Sequence, residues 1–223
     1  MNRTRIKICG IRTPDAAEAA ADAGADLVGL VFVEKSPRFV TPAEARQVIA
    51  ALPGSVQTVG LFVDDSAERV AAVADKLGLS AVQLHGRESP EQAAALAPRR
   101  VLKAISFKGD VEAELACWRG HAPAPAAILL DAPPPAGSEL TGGSGHSFDW
   151  RALAELREVG GWDGLPPLML AGGLTPANVG EAIATVRPWA VDVSSGVESS
   201  RGVKDVARIR RFCDAVREAD ESH

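Results

Sequence analysis

Short apolar runs alternate with amphipathic, alanine-rich stretches from one end of the chain to the other. The runs are 5–9, 27–33, 58–63, 81–85, 101–106, 128–131, 168–171 and 190–194. They are nearly continuous in apolar character and do not alternate strictly with polar residues. That is the pattern of parallel strands covered on both faces.

The stretches between them carry helical periodicity. Ala45, Val48, Ile49 and Leu52 share one face, as do Val70, Val73, Ala74 and Leu77, and Val206, Ile209, Cys213 and Val216. Four helices are expected to open on a hydroxyl followed by proline: Thr13-Pro14, Thr41-Pro42, Ser89-Pro90 and Thr175-Pro176. The hydroxyl caps a free N–H, and proline in the first turn loses no hydrogen bond. Glu44 and Gln92 complete capping boxes behind two of these caps.

Eight βα units predict a single (β/α)8 barrel, the TIM-barrel fold, over residues 1–223. An open, doubly wound sheet is the alternative, but no GxGxxG follows the first run. The Pro- and Gly-rich segment 132–147 falls between a strand and a helix and reads as a long active-site loop.

Composition narrows the picture. Hydrophobic residues make up 46% of the chain and charged residues 24%, ordinary values for a globular protein. No apolar run approaches the ~20 residues of a bilayer span, and the first residues show no secretory pattern. A cytoplasmic location and no membrane partner are therefore expected. The net charge is −5 with scattered basic residues, which argues against a nucleic-acid partner. Three cysteines, Cys9, Cys117 and Cys213, stand far apart and match neither a disulfide framework nor a zinc site. A monomer is the default expectation, with a dimer left open.

In such a barrel the active site lies at the C-terminal ends of the strands. Those ends carry Cys9, Arg38 just beyond strand two, His85, Asp131, Gly172-Gly173 and Ser194-Ser195-Gly196. Cys9 reads as a core filler or, if its thiol acidifies toward neutrality, as a base toward carbon. Asp131 reads as a turn residue or as a carboxyl kept protonated to act as a general acid. The glycine loops after strands seven and eight stand where barrels often bind phosphate through backbone N–H groups, and Gly143 could add to them. Strand parity places Lys7 beside Asp192 across the seam between strands one and eight. Asp192 then either pairs with Lys7 inside the barrel or faces a ligand. His85 carries no decisive signal, Trp150 reads as a helix-start packing residue, and Arg208, Arg210 and Arg211 read as a solvated face.

Taken in order, Lys7-Ile8-Cys9-Gly10, Lys35-Ser36-Pro37-Arg38, Val59-Gly60-Leu61-Phe62-Val63 and Val82-Gln83-Leu84-His85-Gly86 resemble segments of the phosphoribosylanthranilate isomerase family. So do Gly142-Gly143-Ser144-Gly145, Phe148-Asp149-Trp150, Ala171-Gly172-Gly173-Leu174, Asp192-Val193-Ser194-Ser195-Gly196-Val197-Glu198 and Gly202-Val203-Lys204-Asp205. The resemblance spans nearly the whole chain. It implies a cofactor-free, metal-free Amadori rearrangement of a phosphosugar in tryptophan biosynthesis. Asp131 would be the general acid and Cys9 the general base. Arg38 would hold the anthranilate carboxylate, and Asp192 would lie on the substrate side of the pocket. Gly172, Gly173, Ser194, Ser195, Gly196 and Gly143 would cradle the phosphate.

Two positions depart from the family pattern: His146 replaces the lysine usual after the Gly-Gly-Ser-Gly loop, and Arg201 replaces a proline. The related histidine-pathway isomerase expects aspartates ending strands one and five, where this chain has Cys9 and Ser106-Phe107. Indole-glycerol-phosphate synthase expects extra N-terminal sequence and a lysine–glutamate set not found here. A non-catalytic phosphate-binding barrel is the alternative from outside the enzymes, and the joint presence of Cys9 and Asp131 speaks against it.

Overall fold

The computed structural model describes residues 3–108, 111–132 and 149–222. Strands and helices alternate in the order β1 (Arg5–Cys9), α1 (Pro14–Asp22), β2 (Leu27–Val31), α2 (Pro42–Ala50), β3 (Gln57–Phe62), α3 (Ala67–Leu77), β4 (Ala81–Leu84) and α4 (Pro90–Ala94). They continue with β5 (Val101–Ser106), α5 (Val111–Trp118), β6 (Ala127–Asp131), α6 (Trp150–Glu158), β7 (Leu168–Leu170), α7 (Val179–Val186) and β8 (Ala190–Val193). A 3-10 turn (Ser195–Val197) and a small hairpin, β9 (Glu198–Ser200) with β10 (Val203–Lys204), lead into α8 (Val206–Glu221).

Strands β1 to β8 form a closed parallel barrel in chain order, with β8 returning to pair with β1. The predicted (β/α)8 architecture is the one observed, and the open-sheet alternative falls with the closure. One buried cluster, including Leu27, Val59, Leu129 and Met169, fills the ring. A larger one, including Ile8, Val28, Phe62 and Phe212, lies between the ring and its helices. Burial on both faces is why the strands read as unbroken apolar runs.

Several ladders stop short of the apolar run. Val33, His85, Ala171 and Ser194 lie past the last residue of β2, β4, β7 and β8, where the chain leaves the ring for the barrel mouth. Three of the four hydroxyl–proline caps form as predicted, at Thr13, Thr41 and Ser89, the last two as complete capping boxes. Thr175-Pro176 does not open a helix. Asn178 accepts from the Thr175 amide (2.7 Å) and donates to the Gly173 carbonyl (3.1 Å). Those bonds fold the intervening residues into a turn, and α7 begins at Val179.

Helix α8 packs against both α7 and α1 and so completes the outer layer. It buries Ile209, Cys213 and Val216 as expected and adds Phe212, whereas Val206, at its first position, is exposed. Trp150 is the first residue of α6 and packs against the core as predicted. No helix among the described residues is long and apolar enough to cross a membrane.

Candidate active site

The C-terminal ends of the strands gather the predicted residues around one mouth. Going round the ring, β6 brings Asp131, β7 leads to Gly172 and Gly173, β8 leads to Ser194, Ser195 and Gly196, and β1 brings Cys9. Arg38 follows from the loop after β2. Cys9 and Asp131 therefore stand on either flank of the two glycine-bearing loops.

Cys9 is buried against β2, where Gly29 leaves room for it: a Cβ at Gly29 would lie 2.9 Å from the Cys9 sulfur. Burial pushes the Cys9 thiol above its ordinary value, although Lys7 and Lys204 both favour the thiolate. Burial thus favours the thiol over the thiolate, whereas the sequence allowed Cys9 as a base only if its thiol acidified. Desolvation disfavours a buried anion, and two nearby ammonium groups do not fully offset it here.

Lys7 and Asp192, opposite each other in the β1–β8 register, pair inside the barrel with Nζ 2.8 Å from Oδ1. Burial pulls the Lys7 ammonium down, but Asp192 and Cys9 outweigh it and leave the group above its ordinary value. The Lys7 pairing that strand parity allowed for Asp192 is present.

Arg38 is not an exposed loop residue. It lies across Gly10, where a Cβ would come within 2.5 Å of the Arg38 stem, and it is buried. Its Nε and Nη2 donate to the two carboxylate oxygens of Glu198 at 2.7 and 3.0 Å. Glu198 also accepts from Lys204 Nζ (2.8 Å) and from the Gly202 amide (3.0 Å). Burial raises the Glu198 carboxyl, yet these donors overcome it and hold the group down at about 2. Lys204 is itself lowered by burial despite facing Glu198.

Asp131 is buried at the end of β6. Its Oδ1 accepts from the Ala132 amide (2.8 Å), and its Oδ2 lies 3.4 Å from His85 Nε2. His85 Nδ1 in turn lies 2.8 Å from Gln83 Nε2.

The two glycine loops touch. A Cβ at Gly196 would collide with the Leu174 carbonyl, and one at Gly172 with the Ala132 backbone next to Asp131. Gly172 also has φ +83°, which favours glycine on its own. Among the described residues no hydrogen bond engages the amides of Gly172, Gly173, Ser195 or Gly196. The Ser194 hydroxyl, by contrast, donates to the Cys9 carbonyl (3.1 Å), and Lys204 holds the Ser194 carbonyl (2.9 Å). Gly143 and His146 lie outside the described residues, and Arg201 is exposed in the turn between β9 and β10.

Three residues of the mouth drew no role from the sequence: His85 beside Asp131, and Glu198 and Lys204 behind Arg38 and Cys9. Strand parity carried a signal for the first. Gln83 and His85 fall on the same side of β4 as Ala81, which belongs to the interior cluster.

The model of the N-(5'phosphoribosyl)anthranilate (PRA) isomerase family matches residues 6–215. The chain belongs to this family. The N-(5'-phosphoribosyl)anthranilate isomerase of Acinetobacter calcoaceticus is 45% identical over 217 residues, covering 96% of this chain and 97% of the relative. The crystal structure of phosphoribosyl anthranilate isomerase from Thermotoga maritima superposes with a TM-score of 0.85 at 40% identity, over 96% of this chain and 99% of that one. A further crystal structure of a phosphoribosyl anthranilate isomerase holds reduced 1-(o-carboxyphenylamino)-1-deoxyribulose 5-phosphate. It gives a TM-score of 0.81 at 38% identity, over 96% of this chain and 99% of the other. Family membership agrees with the resemblance carried by the strand-end motifs.

Proposed function

We propose that this phosphoribosylanthranilate isomerase family member converts N-(5′-phosphoribosyl)anthranilate to 1-(o-carboxyphenylamino)-1-deoxyribulose 5-phosphate in tryptophan biosynthesis, with Asp131 as general acid and Cys9 as general base. The observation that carries the assignment of roles is the order of groups round the mouth. A carboxyl and a thiol flank two loops in which, among the described residues, nothing engages the amides of Gly172, Gly173, Ser195 and Gly196. A phosphate seated on Gly172, Gly173, Ser195 and Gly196 puts the attached ribose between Asp131 and Cys9. Gly143 is proposed to join those amides on the phosphate. Ser194, whose hydroxyl is occupied, supports the loop.

Asp131 gives its proton to the ribose ring oxygen as the C1′–O bond breaks. The anilino nitrogen supplies the electron pair, and the furanose opens to an iminium. The Cys9 thiolate, formed as its thiol proton passes to solvent, then takes the proton from C2′, and the electrons of that C–H bond neutralise the iminium to give an enolamine, which tautomerises to the ketone. Each proton transfer contributes roughly 10²–10⁴-fold. The raised thiol is compatible with this order. A substrate cation forming beside Cys9 adds to Lys7 and Lys204 in favouring the thiolate, so the base is strengthened at the stage that needs it.

Arg38 is the binding group for the anthranilate carboxylate, a planar anion matched to a guanidinium. Its Nε and Nη2 are held by Glu198, which leaves Nη1 to reach the ligand. Asp192 acts on the substrate side through Lys7, whose charge it balances. In Cys9→Ala, kcat should fall far more than KM rises, because a base acts in the transition state. Unchanged turnover would remove Cys9 from the mechanism.

A further inference from the structure

The Gln83–His85–Asp131 chain lies within the barrel mouth. Its function goes beyond the acid–base pair and rests on Asp131 being the acid. Gln83 is fully buried, and its Nε2 lies 2.8 Å from His85 Nδ1. An amide nitrogen can only donate, so Nδ1 accepts and the imidazole proton sits on Nε2. Nε2 lies 3.4 Å from Asp131 Oδ2, farther than in a relaxed hydrogen bond, and such contacts tighten in an occupied site. The reversed amide would put the proton on Nδ1 and leave Nε2 with none to offer the carboxylate that forms when Asp131 gives up its proton. The arrangement seen avoids this and leaves Gln83 Oε1 as a buried acceptor without a partner.

The backbone next to His85 is held from three sides. The His85 amide donates to Phe62 O (2.9 Å), the Gly86 amide donates to Glu88 (2.9 Å), and Lys103 Nζ donates to Gly86 O (2.7 Å). Lys103 and Glu88, both buried, pair with each other at 2.8 Å. A buried ion pair thus grips both polar atoms of the residue after the histidine.

We propose that His85 is a positioning residue for the isomerisation, its tautomer set by Gln83 so that Nε2–H steadies Asp131 as the acid gives up its proton. A donor to a carboxylate is stronger than the same donor to a carboxylic acid. The bond therefore gains strength as charge develops on Asp131, which lowers the barrier more than it stabilises bound substrate.

The test combines steady-state kinetics with imidazole 15N spectroscopy. His85→Leu should lower kcat roughly 100-fold, the scale of losing one such donor, with KM little changed. His85→Gln, whose amide nitrogen can reach the position of Nε2, should recover most of the loss. In an Asp131→Asn background, adding His85→Leu should change nothing further. The parent protein should show the Nε2–H tautomer for His85, a readout independent of whether any variant folds. An Nδ1–H tautomer, parental kcat in His85→Leu, a loss confined to KM, or no rescue by glutamine would each overturn the proposal. Parental turnover in Asp131→Asn would instead overturn the assignment of the acid; inactive Asp131→Asn beside fully active His85→Leu would sink only the role of His85.

Discussion

Lys7 Nζ and Asp192 Oδ1 meet at 2.8 Å inside the barrel, across the seam where the last strand returns to the first. The two residues are 185 positions apart in sequence, and their pairing needs the ring to be closed. The pair places a positive charge two residues before Cys9 while keeping the interior nearly neutral. Closure of the fold and the electrostatics of the candidate base are thus one arrangement.

Breaking that pair from one side should be costly. Lys7→Met leaves Asp192 buried without its cation, and the expected loss is about 3–5 kcal/mol in urea unfolding. The double variant Lys7→Met/Asp192→Leu should recover much of this stability without recovering turnover. Equal stability of the single and double variants would show that the pair is not coupled.

The three cysteines should differ sharply toward iodoacetamide. Cys117 is exposed and should react first. Cys9 should react more slowly, because burial raises its thiol, and its rate should climb steeply with pH. Cys213, buried with its thiol pushed up to about 12, should stay unmodified in the folded protein. Peptide mapping after timed labelling gives the order directly. Faster labelling of Cys9 than of Cys117 at neutral pH would contradict the burial argument.

Much of this was legible in the amino-acid order, for physical reasons. Parallel strands covered on both faces leave unbroken apolar runs, so all eight strands could be placed, and two of them, 5–9 and 101–106, with both ends correct. Ladder ends were harder to read, since apolar character continues into the mouth past the last hydrogen bond. Lys7 and Asp192 could be matched by parity, but only the three-dimensional register brings them within 2.8 Å of each other. Arg38 and Glu198 are 160 residues apart, and no local pattern announces that one holds the other. Parity could place His85 on the interior side with Gln83, but its role depends on a carboxylate two strands away.

Glu198 gives a pH signature. Its carboxyl is held at about 2 in the folded state against an ordinary 4.5. An acid lowered by folding stabilises the fold fully above its unfolded value and loses that contribution as pH falls toward the folded one. Glu198→Gln should therefore be less stable than the parent by about 3 kcal/mol near pH 6. The gap should shrink between pH 4.5 and 2. The variant should also raise KM, because Arg38 loses the carboxylate that orients it. A gap independent of pH would deny the charge-based role.

Gly29 is a packing test of the base. A Cβ there would lie 2.9 Å from the Cys9 sulfur, closer than an ordinary van der Waals contact. Gly29→Ala should displace the thiol and lower kcat at least tenfold, on the scale of a misplaced proton-transfer group, while the fold survives as judged by circular dichroism. Parental kcat would mean that the position of Cys9 is not critical.

Isomerase activity and its acid are tested together by following the loss of anthranilate-type fluorescence when purified protein meets freshly made phosphoribosylanthranilate, without added metal or nucleotide. Asp131→Asn is run in parallel. Fluorescence should decay rapidly with the parent and barely at all with the variant. Equal decay with Asp131→Asn, or none with well-folded parent protein, would contradict the proposed function.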